Sequence, residues 1–530
     1  MHVPMLINDF LKRAVYLYPQ KVAVIEGEKR ITYKELQDRV NRLANTLRSL
    51  GVTKGDRVAY LSPNTLAMFE GFYAVMQIGA IMVPLNTRLI PDDYDYIVNH
   101  CGAKVFCVDA DLNHQINPIK DKLVNIDHFV LLPNEKRATE EGWLTYEPLL
   151  EKASPVYFAE EMEETDPATI LYTSGTTGRP KGVIQSHRGL YFNALNTIIH
   201  LRATDQDVLL HTLPMFHVNG WGTPFSFTGM GATHVMLRKI DSSLILDLVK
   251  NEGVTIACMA PTVLNMILND PKAKVTKVEQ SVRVTLAGSA PPPSFVKAVE
   301  KDLGWEFIQV YGMTECAPFL TVAHVKPHIA EQGEDKIHQV KAKAGLNMLN
   351  VELRVVDSEG EDVIPNGQDV GEVIARSNVV MDGYWQQPEE TAKAIVNGWY
   401  HTGDMGTVDE EGYIEIVDRK KDIIISGGEN ISSIEVEGAL YEHPAVLEAA
   451  IIAIPHERWG EIPHAVVVLQ NGSEEVTEKD IINFCRERMA HFKCPKSVQF
   501  INELPKTASG KIQKVVLRKP FWDNSERKIN

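Results

Sequence analysis

A segment rich in glycine and hydroxyl groups at residues 172–182, YTSGTTGRPKG, has the residue types needed to hold a polyphosphate. Its three glycines let backbone N–H groups approach a ligand, its four Ser and Thr hydroxyls can donate hydrogen bonds, and Lys181 can neutralise phosphate charge. It follows the apolar pair 170–171, as expected at the end of a strand. It differs from the Walker A loop, because Gly182 follows the lysine where that loop has Ser or Thr. The residues predicted to bind the phosphates are Thr173, Ser174, Gly175, Thr176, Thr177, Gly178 and Lys181.

A second set of side chains suits the purine and the α-phosphate. Tyr311 offers a flat ring for stacking on adenine, and the small residues at 288–290 would let the purine approach from the other side. Thr314 can hydrogen-bond to the α-phosphate. Glu315 supplies a hard oxygen ligand for Mg²⁺, which usually takes one or two carboxylates and keeps its waters. Alone, however, the string YGMTE at 311–315 is a weak signal for a nucleotide site.

Two more segments contain groups suited to the ribose and to the reacting centre. Asp404, at the end of WYHTGD (399–404), can accept both ribose hydroxyls, with Arg419 as its cationic partner. Lys511 ends the string PKTASGK (505–511) in a glycine-containing loop near the C-terminus. A lone lysine in such a loop is usually surface charge, so the role of Lys511 depends on its motif.

The elements that must position these groups alternate between strands and helices. Thr32 and Glu35 form a capping box before a helix that runs to Gly51, a strand is predicted at 57–61, and a helix at 65–79. The same alternation returns between 208 and 310, whereas short alternating strands follow from Val351. The predicted fold is α/β: a large N-terminal domain of doubly wound sheets with a small barrel-like β unit, then a small mobile α+β C-terminal domain.

Composition and charge limit the function classes. The chain has 530 residues, 44% of them hydrophobic, which is typical of an ordered globular protein of several units. Its net charge of −16, with no basic run, makes nucleic acid an unlikely partner. We expect no membrane-spanning segment and no signal peptide, hence a cytosolic protein, and the six cysteines show no C-x-x-C pair and predict buried free thiols.

Taken together and in this order, the motifs resemble the adenylate-forming superfamily of acyl-CoA synthetases, carrier-protein adenylation domains and beetle luciferase. The resemblance covers nearly the whole chain. It implies an AMP-forming acid–thiol ligase, which makes an acyl-adenylate and pyrophosphate from ATP and a carboxylic acid and then transfers the acyl group to coenzyme A. Within the superfamily, the chain is most similar to medium- and long-chain fatty acyl-CoA ligases and to ligases of the methylmercaptopropionate type.

The resemblance also implies roles for individual residues. Lys511 is expected to be the adenylation lysine, acting with Thr314, Glu315 and His217. It implies an N-terminal domain at 1–418, a hinge at 419–421 and a mobile domain at 422–530. The remaining assignments are Gly288, Ser289, Ala290, Tyr311, Gly312, Met313, Asp404 and Arg419 for the nucleotide, Thr176 and Glu315 for Mg²⁺, His217, Trp221 and Gly312 for the acyl pocket, and Lys421, Gly427, Gly428 and Glu429 for the hinge and the CoA tunnel.

Several alternatives stay open at this point. The region 216–227 is rich in aromatic and small residues and shows no cationic partner, so an uncharged aliphatic or aryl acid is favoured, and a medium- or long-chain fatty acid is the expected substrate. A short thioether or aryl acid, or a carrier-protein acceptor, is the alternative. Trp221 is interpreted as a gate to the acyl pocket or as simple core packing. A catalytically silent nucleotide-binding protein is the rival from another class, and a homodimer is left open.

Overall fold

The computed structural model describes residues 1–134, 139–158, 160–173, 179–288, 291–426, 429–456, 458–473, 475–506 and 512–522. The first 350 residues supply all but one of the strands of two large sheets, and the remaining strand comes later in the chain. Their strands are β1 (Val22–Glu26), β2 (Lys29–Thr32), β3 (Arg57–Leu61), β4 (Ile81–Pro84), β5 (Ala103–Asp109), β6 (His128–Leu132), β7 (Leu144–Thr145), β8 (Pro167–Thr173), β9 (Lys181–Ser186), β10 (Val208–His211), β11 (Thr233–Met236), β12 (Ile256–Met259), β13 (Arg283–Leu286), β14 (Glu306–Gly312), β15 (Phe319–Val322) and β16 (Leu346–Asn347).

The helices of this region lie between and outside the sheets. They are α1 (Asn8–Leu17), α2 (Tyr33–Ser49), α3 (Leu66–Gln77), α4 (Pro91–Cys101), α5 (Asn113–Ile116), α6 (Tyr146–Lys152), α7 (His187–His200), α8 (Val218–Trp221), α9 (Thr223–Met230), α10 (Ser242–Asn251), α11 (Pro261–Leu268), α12 (Pro293–Ala298), α13 (Pro327–Ala330) and α14 (Glu334–Lys341). Short 3₁₀ turns occur at Asn117–Lys122, Pro271–Lys274 and Thr314–Cys316, and a π turn at Val299–Leu303.

Residues from 351 onward form antiparallel strands and then a separate C-terminal sheet. The next elements are β17 (Val351–Val356), β18 (Gly371–Ser377), β19 (Gly383–Tyr384), α15 (Pro388–Ala394), β20 (Ile395–Val396), β21 (Trp399–Val408) and β22 (Ile414–Arg419). The last are β23 (Ile424–Ser426), β24 (Glu429–Ile431), α16 (Ser433–Tyr441), β25 (Val446–His456), β26 (Gly460–Leu469), α17 (Glu478–Arg486), β27 (Ser497–Phe500) and α18 (Lys514–Trp522).

The four sheets have different strand arrangements. One sheet has eight strands in the order β19-β9-β8-β4-β3-β5-β6-β7, and another has nine in the order β16-β15-β14-β13-β12-β10-β11-β1-β2. Their central strands are parallel, and antiparallel strands are added at the edges. Strands β17, β18, β20, β21 and β22 form an antiparallel five-stranded sheet, and β23 to β27 form a mixed one. The predicted α/β class, the antiparallel unit and the C-terminal α+β unit are confirmed.

The principal core fills the space between the two large sheets. Helix α3 is buried at all twelve of its positions, and its core cluster includes β3, β4, β10 and β12 residues from both sheets. A helix enclosed in this way needs apolar side chains on every face, which explains why its sequence, LAMFEGFYAVMQ, shows no polar stripe. The sheets are thereby held so that the carboxyl ends of β8 and β14 can contribute to a common site.

The local predictions about the first elements are confirmed. Helix α2 begins with the Thr32 and Glu35 capping box, in which Glu35 N donates to Thr32 Oγ1 over 3.3 Å and Thr32 N donates to the Glu35 carboxylate over 2.8 Å. Gly51 follows the helix with φ +86°, the left-handed region that glycine adopts readily. All six cysteines are free and buried. Among the helices of the described residues, none is both long and apolar enough to cross a bilayer.

Candidate active site

The predicted phosphate loop follows β8 and precedes β9, which are neighbouring antiparallel strands of the eight-stranded sheet. Thr173 ends β8, Lys181 begins β9, and the two residues are paired across the strands. The sheet therefore brings both ends of the loop together. The predicted ligands Ser174, Gly175, Thr176, Thr177 and Gly178 lie outside the described residues.

Lys181 is held by a carboxylate and an aromatic ring from a distant part of the chain. Its Nζ lies 2.5 Å from Glu390 Oε2 and 4.9 Å from the centre of the Tyr384 ring. Strand β19 brings these residues close, because Tyr384 pairs with Val183 and Trp385 N donates to Gly182 O over 2.7 Å. Hydrogen bonds from Lys181 and Lys393 lower the pKa of Glu390 to about 2, so Glu390 is ionised at neutral pH.

Tyr384 also connects the phosphate loop to the predicted metal ligand. Its hydroxyl donates to Glu315 Oε1 over 3.1 Å, so the ring of Tyr384 contacts Lys181 and its hydroxyl contacts Glu315. The neighbouring Thr314 is buried, and its carbonyl oxygen accepts from Gln185 Nε2 over 2.8 Å. Strand β9 and the 3₁₀ turn after β14 thus bring Lys181 and Glu315 to one region.

The donor set at this point suits Mg²⁺. Glu315 is partly exposed and supplies one carboxylate, which is the contribution that Mg²⁺ commonly takes from a protein when substrate phosphates and water complete its shell. Among the described residues there is no cluster of three or more His, Cys, Asp or Glu that could hold a metal by itself. A metal ion here would therefore depend on the phosphates of the nucleotide.

A compact cluster lies where the ribose was predicted. Asp404 is almost fully buried in β21 and pairs directly across the sheet with Arg419 of β22, with 2.6 Å between its Oδ1 and Arg419 Nε. Tyr311 donates its hydroxyl proton to Asp404 Oδ2 over 2.7 Å. Burial, and next the Asp404 charge, raise the pKa of Tyr311 well above its usual value, so the phenol stays protonated. The structure brings together three residues that were predicted to bind one nucleoside.

The glycines near the nucleotide segment allow close backbone approaches. Gly288 is exposed after β13 with φ +108°. A Cβ atom on Gly312 would lie 1.8 Å from Pro318 O, so no side chain fits at that position. The neighbouring Met313 is buried, and its N–H donates to Pro318 O over 3.0 Å. Ser289 and Ala290 lie outside the described residues.

The predicted acyl region forms a left-handed turn. After His217, which is partly exposed, five successive residues have positive φ, from 48° at Val218 to 74° at Gly222. Bulky residues rarely adopt this conformation, so surrounding contacts must hold it. Asn193 Nδ2 donates to Trp221 O over 3.1 Å, and Asn219 Nδ2 donates to Thr169 Oγ1 over 3.1 Å.

The turn fixes the side chain of Trp221 inside the protein. Trp221 is 5% exposed, and its ring centre lies 5.5 Å from that of Phe319 in an edge-on arrangement. Asn193 also accepts from Phe319 N over 3.4 Å, so one amide supports both aromatic residues. Trp221 therefore belongs to the principal core cluster.

The C-terminal groups are only partly described. Lys421 O accepts from Arg518 Nη1 over 3.0 Å, and Arg518 also pairs with Asp422. Helix α18 is thereby bound to the segment after β22, the predicted hinge. Glu429 is exposed and begins β24. Gly427, Gly428 and Lys511 lie outside the described residues.

Three residues of the site were not predicted from the sequence. Tyr384 and Glu390 contact Lys181, and Asn193 holds the left-handed turn. Glu390 is 209 positions from Lys181, and no periodicity connects the two. The string GYWQQPEE at 383–390, with an aromatic pair next to two acids, was the only local signal.

The fold and the site define a nucleotide-binding α/β enzyme, and comparison with known proteins gives its family. Residues 11–385 match the AMP-binding enzyme family, and residues 435–511 match the AMP-binding enzyme C-terminal domain. The chain belongs to the AMP-binding enzyme family and is an acyl-CoA synthetase, with ATP and coenzyme A as cosubstrates.

Relatives and solved structures cover nearly the whole chain. A peroxisomal trans-cinnamate:CoA ligase of Petunia hybrida is 36% identical over 98% of this chain and 94% of its own, and a 2-methylpropanoate–CoA ligase of Humulus lupulus is 38% identical over 97% and 95%. An anthranilate CoA ligase in complex with anthranoyl-AMP superposes with a TM-score of 0.89 at 26% identity, covering 98% of both chains. A fatty acyl CoA synthetase of Mycobacterium tuberculosis gives 0.75 at 31%, covering 98% of both chains.

Proposed function

We propose that this ligase activates an aryl or short-chain carboxylic acid. In the first half-reaction a carboxylate oxygen of the acid attacks the α-phosphorus of ATP, and the bond to the pyrophosphate breaks. In the second, the thiol sulfur of coenzyme A attacks the acyl carbon, loses its proton, and AMP leaves. No side chain becomes covalently attached, so the protein contributes by positioning the substrates and neutralising charge.

The observation that carries the choice of acid is the fixed indole of Trp221. This side chain is buried in a left-handed turn that two asparagines support, and it packs on Phe319. We infer that this indole closes the acyl site beside the predicted acyl residue His217, which would favour an aromatic ring or a few carbons over a long chain. The hydrogen bonds hold the backbone of the turn, and a swing of the indole itself would have to break its packing on Phe319 in the core.

The names of the relatives support the same choice. The two curated relatives act on cinnamate, an aryl acid, and on 2-methylpropanoate, a short branched acid, and the anthranilate ligase contains an aryl adenylate. The expected medium- or long-chain fatty acid becomes the second candidate, favoured by the likeness to the fatty acyl CoA synthetase. The petunia relative is named as peroxisomal, and a cytosolic location of this chain stays a prediction.

The contacts of these side chains support the nucleotide roles that the resemblance implies. Asp404 would accept the ribose hydroxyls while Arg419 and Tyr311 hold its carboxylate. Lys181 would meet the β- and γ-phosphates, with Thr173 at the other end of the loop. Glu315, with Thr176, would hold Mg²⁺, which supplies charge neutralisation when it is bound.

The C-terminal domain would alternate between two positions. We place the domain boundaries at 418 and 422 and the pivot at Lys421, next to the contacts made by Arg518. In one position Lys511 would reach the α-phosphate and the acid. In the other, Gly427, Gly428 and Glu429 would line the tunnel for the pantetheine arm of coenzyme A.

Pyrophosphate release across a panel of acids tests the proposal. The panel contains acetate, butyrate, 2-methylpropanoate, benzoate, cinnamate, octanoate and palmitate, each measured with and without coenzyme A. We expect the highest kcat/KM for an acid of at most five carbons in its chain or for an aryl acid, with turnover that requires coenzyme A. A maximum at octanoate or palmitate would contradict the proposal and favour the second candidate.

A further inference from the structure

Lys181, the lysine of the phosphate loop, already has a carboxylate partner. Glu390 Oε2 lies 2.5 Å from Lys181 Nζ, and Glu390 Oε1 accepts from Lys393 Nζ over 2.7 Å. Both members of the pair are partly exposed, at 25% for Lys181 and 34% for Glu390. Solvent and an incoming anion can therefore reach the pair.

This carboxylate opposes the binding of a triphosphate. An ionised glutamate beside the phosphate-binding lysine repels the anion and competes with it for the same ammonium group. A site built only for tight ATP binding would place a neutral donor at this position. The Glu390 carboxylate therefore needs a role in the catalytic cycle other than tightening the binding of ATP.

Core packing does not account for Glu390. Helix α15, which carries Glu390, has no buried residue, and it is joined to β19 by a separate hydrogen bond from Tyr384 N to Thr391 Oγ1 over 2.9 Å. The helix is therefore fastened without the ion pair. Its exposed surface leaves the Glu390 side chain room to turn away.

We propose that Glu390 is an exchange counter-ion for Lys181. It holds the lysine next to the Tyr384 ring when the phosphate subsite is empty, gives the lysine up to the β- and γ-phosphates of ATP, and takes it back as pyrophosphate leaves. Glu390 is a positioning residue that weakens ATP binding and speeds the release of pyrophosphate. This inference rests on the phosphate role proposed above for Lys181.

The test compares two substitutions that remove the same charge from adjacent positions. Glu390→Gln removes the competing carboxylate, and Glu389→Gln removes an exposed one on the same helix. For Glu390→Gln we expect KM for ATP and the product-inhibition constant for pyrophosphate to fall together by roughly three- to tenfold. KM for the acid and for coenzyme A should not change, and Glu389→Gln should resemble the wild type.

Three outcomes would overturn the inference. A higher KM for ATP in Glu390→Gln would mean that the carboxylate assists binding. Unchanged constants would mean that the ion pair has no role in the cycle. Equal effects in Glu390→Gln and Glu389→Gln would mean that only the net charge of the helix matters.

A third variant separates this inference from the proposed role of Lys181. Lys181→Met should raise KM for ATP at least tenfold and should remove most of the effect of Glu390→Gln in the double variant. If Lys181→Met leaves KM for ATP unchanged, the proposed phosphate contact fails. If it raises KM while Glu390→Gln has no effect, only the counter-ion role fails.

Discussion

Replacing Trp221 should change which acids the enzyme prefers. The indole is 5% exposed, packs on Phe319 and stands in the predicted acyl region, so Trp221→Ala removes a wall and leaves room in its place. Each additional methylene that a substrate buries in this room contributes about 0.8 kcal/mol. Four methylenes, the difference between butyrate and octanoate, amount to about 3 kcal/mol, which is roughly 200-fold in the ratio of kcat/KM values.

The assay is pyrophosphate release for butyrate, hexanoate and octanoate, measured with the wild type and Trp221→Ala. Loss of a buried tryptophan should also lower the free energy of unfolding by about 3–5 kcal/mol, so thermal unfolding is followed in parallel. Trp221→Phe is the milder variant and should give a smaller shift in the same direction. Trp305→Ala is the matched control, because Trp305 is buried to 4% exposure in another core cluster.

The Trp305→Ala variant should lose similar stability without a change in preference. A folded Trp221→Ala enzyme with the wild-type ratio of octanoate to butyrate activity would refute the interpretation of Trp221 as the wall of the acyl site. A similar shift in Trp305→Ala would attribute the change to loosening of the fold.

Three further predictions concern catalysis, the nucleotide and pH. Lys511→Ala should slow acyl-adenylate formation by about 10²- to 10³-fold and spare CoA transfer from supplied acyl-adenylate. Gly428→Trp should spare acyl-adenylate formation and slow CoA transfer. Equal loss of both steps in either variant would contradict the two-position scheme. Asp404→Asn should lower kcat/KM for ATP about 10- to 100-fold with KM for the acid unchanged, and a rise in the acid KM alone would exclude the ribose role. Burial lowers the pKa of His187 to about 4, whereas the pKa is about 6.5 in the unfolded chain. The stability that this difference contributes is present above pH 6.5 and should be lost towards pH 4, at about 1.4 kcal/mol per pH unit. Urea unfolding should show a shallower pH dependence in His187→Gln.

Local sequence signals predicted the elements that depend on neighbouring residues. The capping box at Thr32 and the glycine at 51 mark both ends of α2, and the apolar run at 57–61 is β3. Segment ends were less accurate where tertiary pairing extends a strand. The short strands expected from Val351 were given no bounds, and β22 among them extends to Arg419 because Arg419 pairs with Asp404 across the sheet.

The grouping of candidate residues was predictable where whole motifs, taken in order, resemble a known family. Asp404, Arg419 and Tyr311 were each assigned to the nucleoside, and Arg419 and Tyr311 both contact Asp404. Tyr384 and Glu390 were missed because only the tertiary fold brings them to the site. Strand β19 must pair with β9 before either residue approaches Lys181.

The left-handed turn at 218–222 is a second feature that depends on tertiary contacts and could not be predicted from the sequence. The string HVNGWG at 217–222 indicates a glycine turn, but it does not indicate that Val218 and Trp221 also adopt positive φ. That conformation is stabilised by Asn193 from α7 and by the pairing of Asn219 with Thr169. Neither contact is visible in the spacing of the residues.

Within the described part of the candidate site, Lys181, Asp404 and Arg419 each have a charged partner in the protein, but the two ends of the proposed nucleotide site differ in how these partners are held. At the ribose end, Asp404 is buried between Tyr311 and Arg419, and its remaining hydrogen-bonding capacity can accept hydroxyls while these contacts persist. At the phosphate end, the single ammonium of Lys181 faces a carboxylate that an anion must displace.

This difference assigns separate tasks to the two ends. A preformed ribose cluster favours recognition, since it keeps its geometry when the nucleoside binds. An exchangeable lysine favours turnover, since in the proposed scheme pyrophosphate, which must leave first, would be bound by Lys181, and Lys181 can return to Glu390. The nucleoside end should therefore determine which nucleotide binds, and the Lys181–Glu390 pair how quickly the leaving group departs.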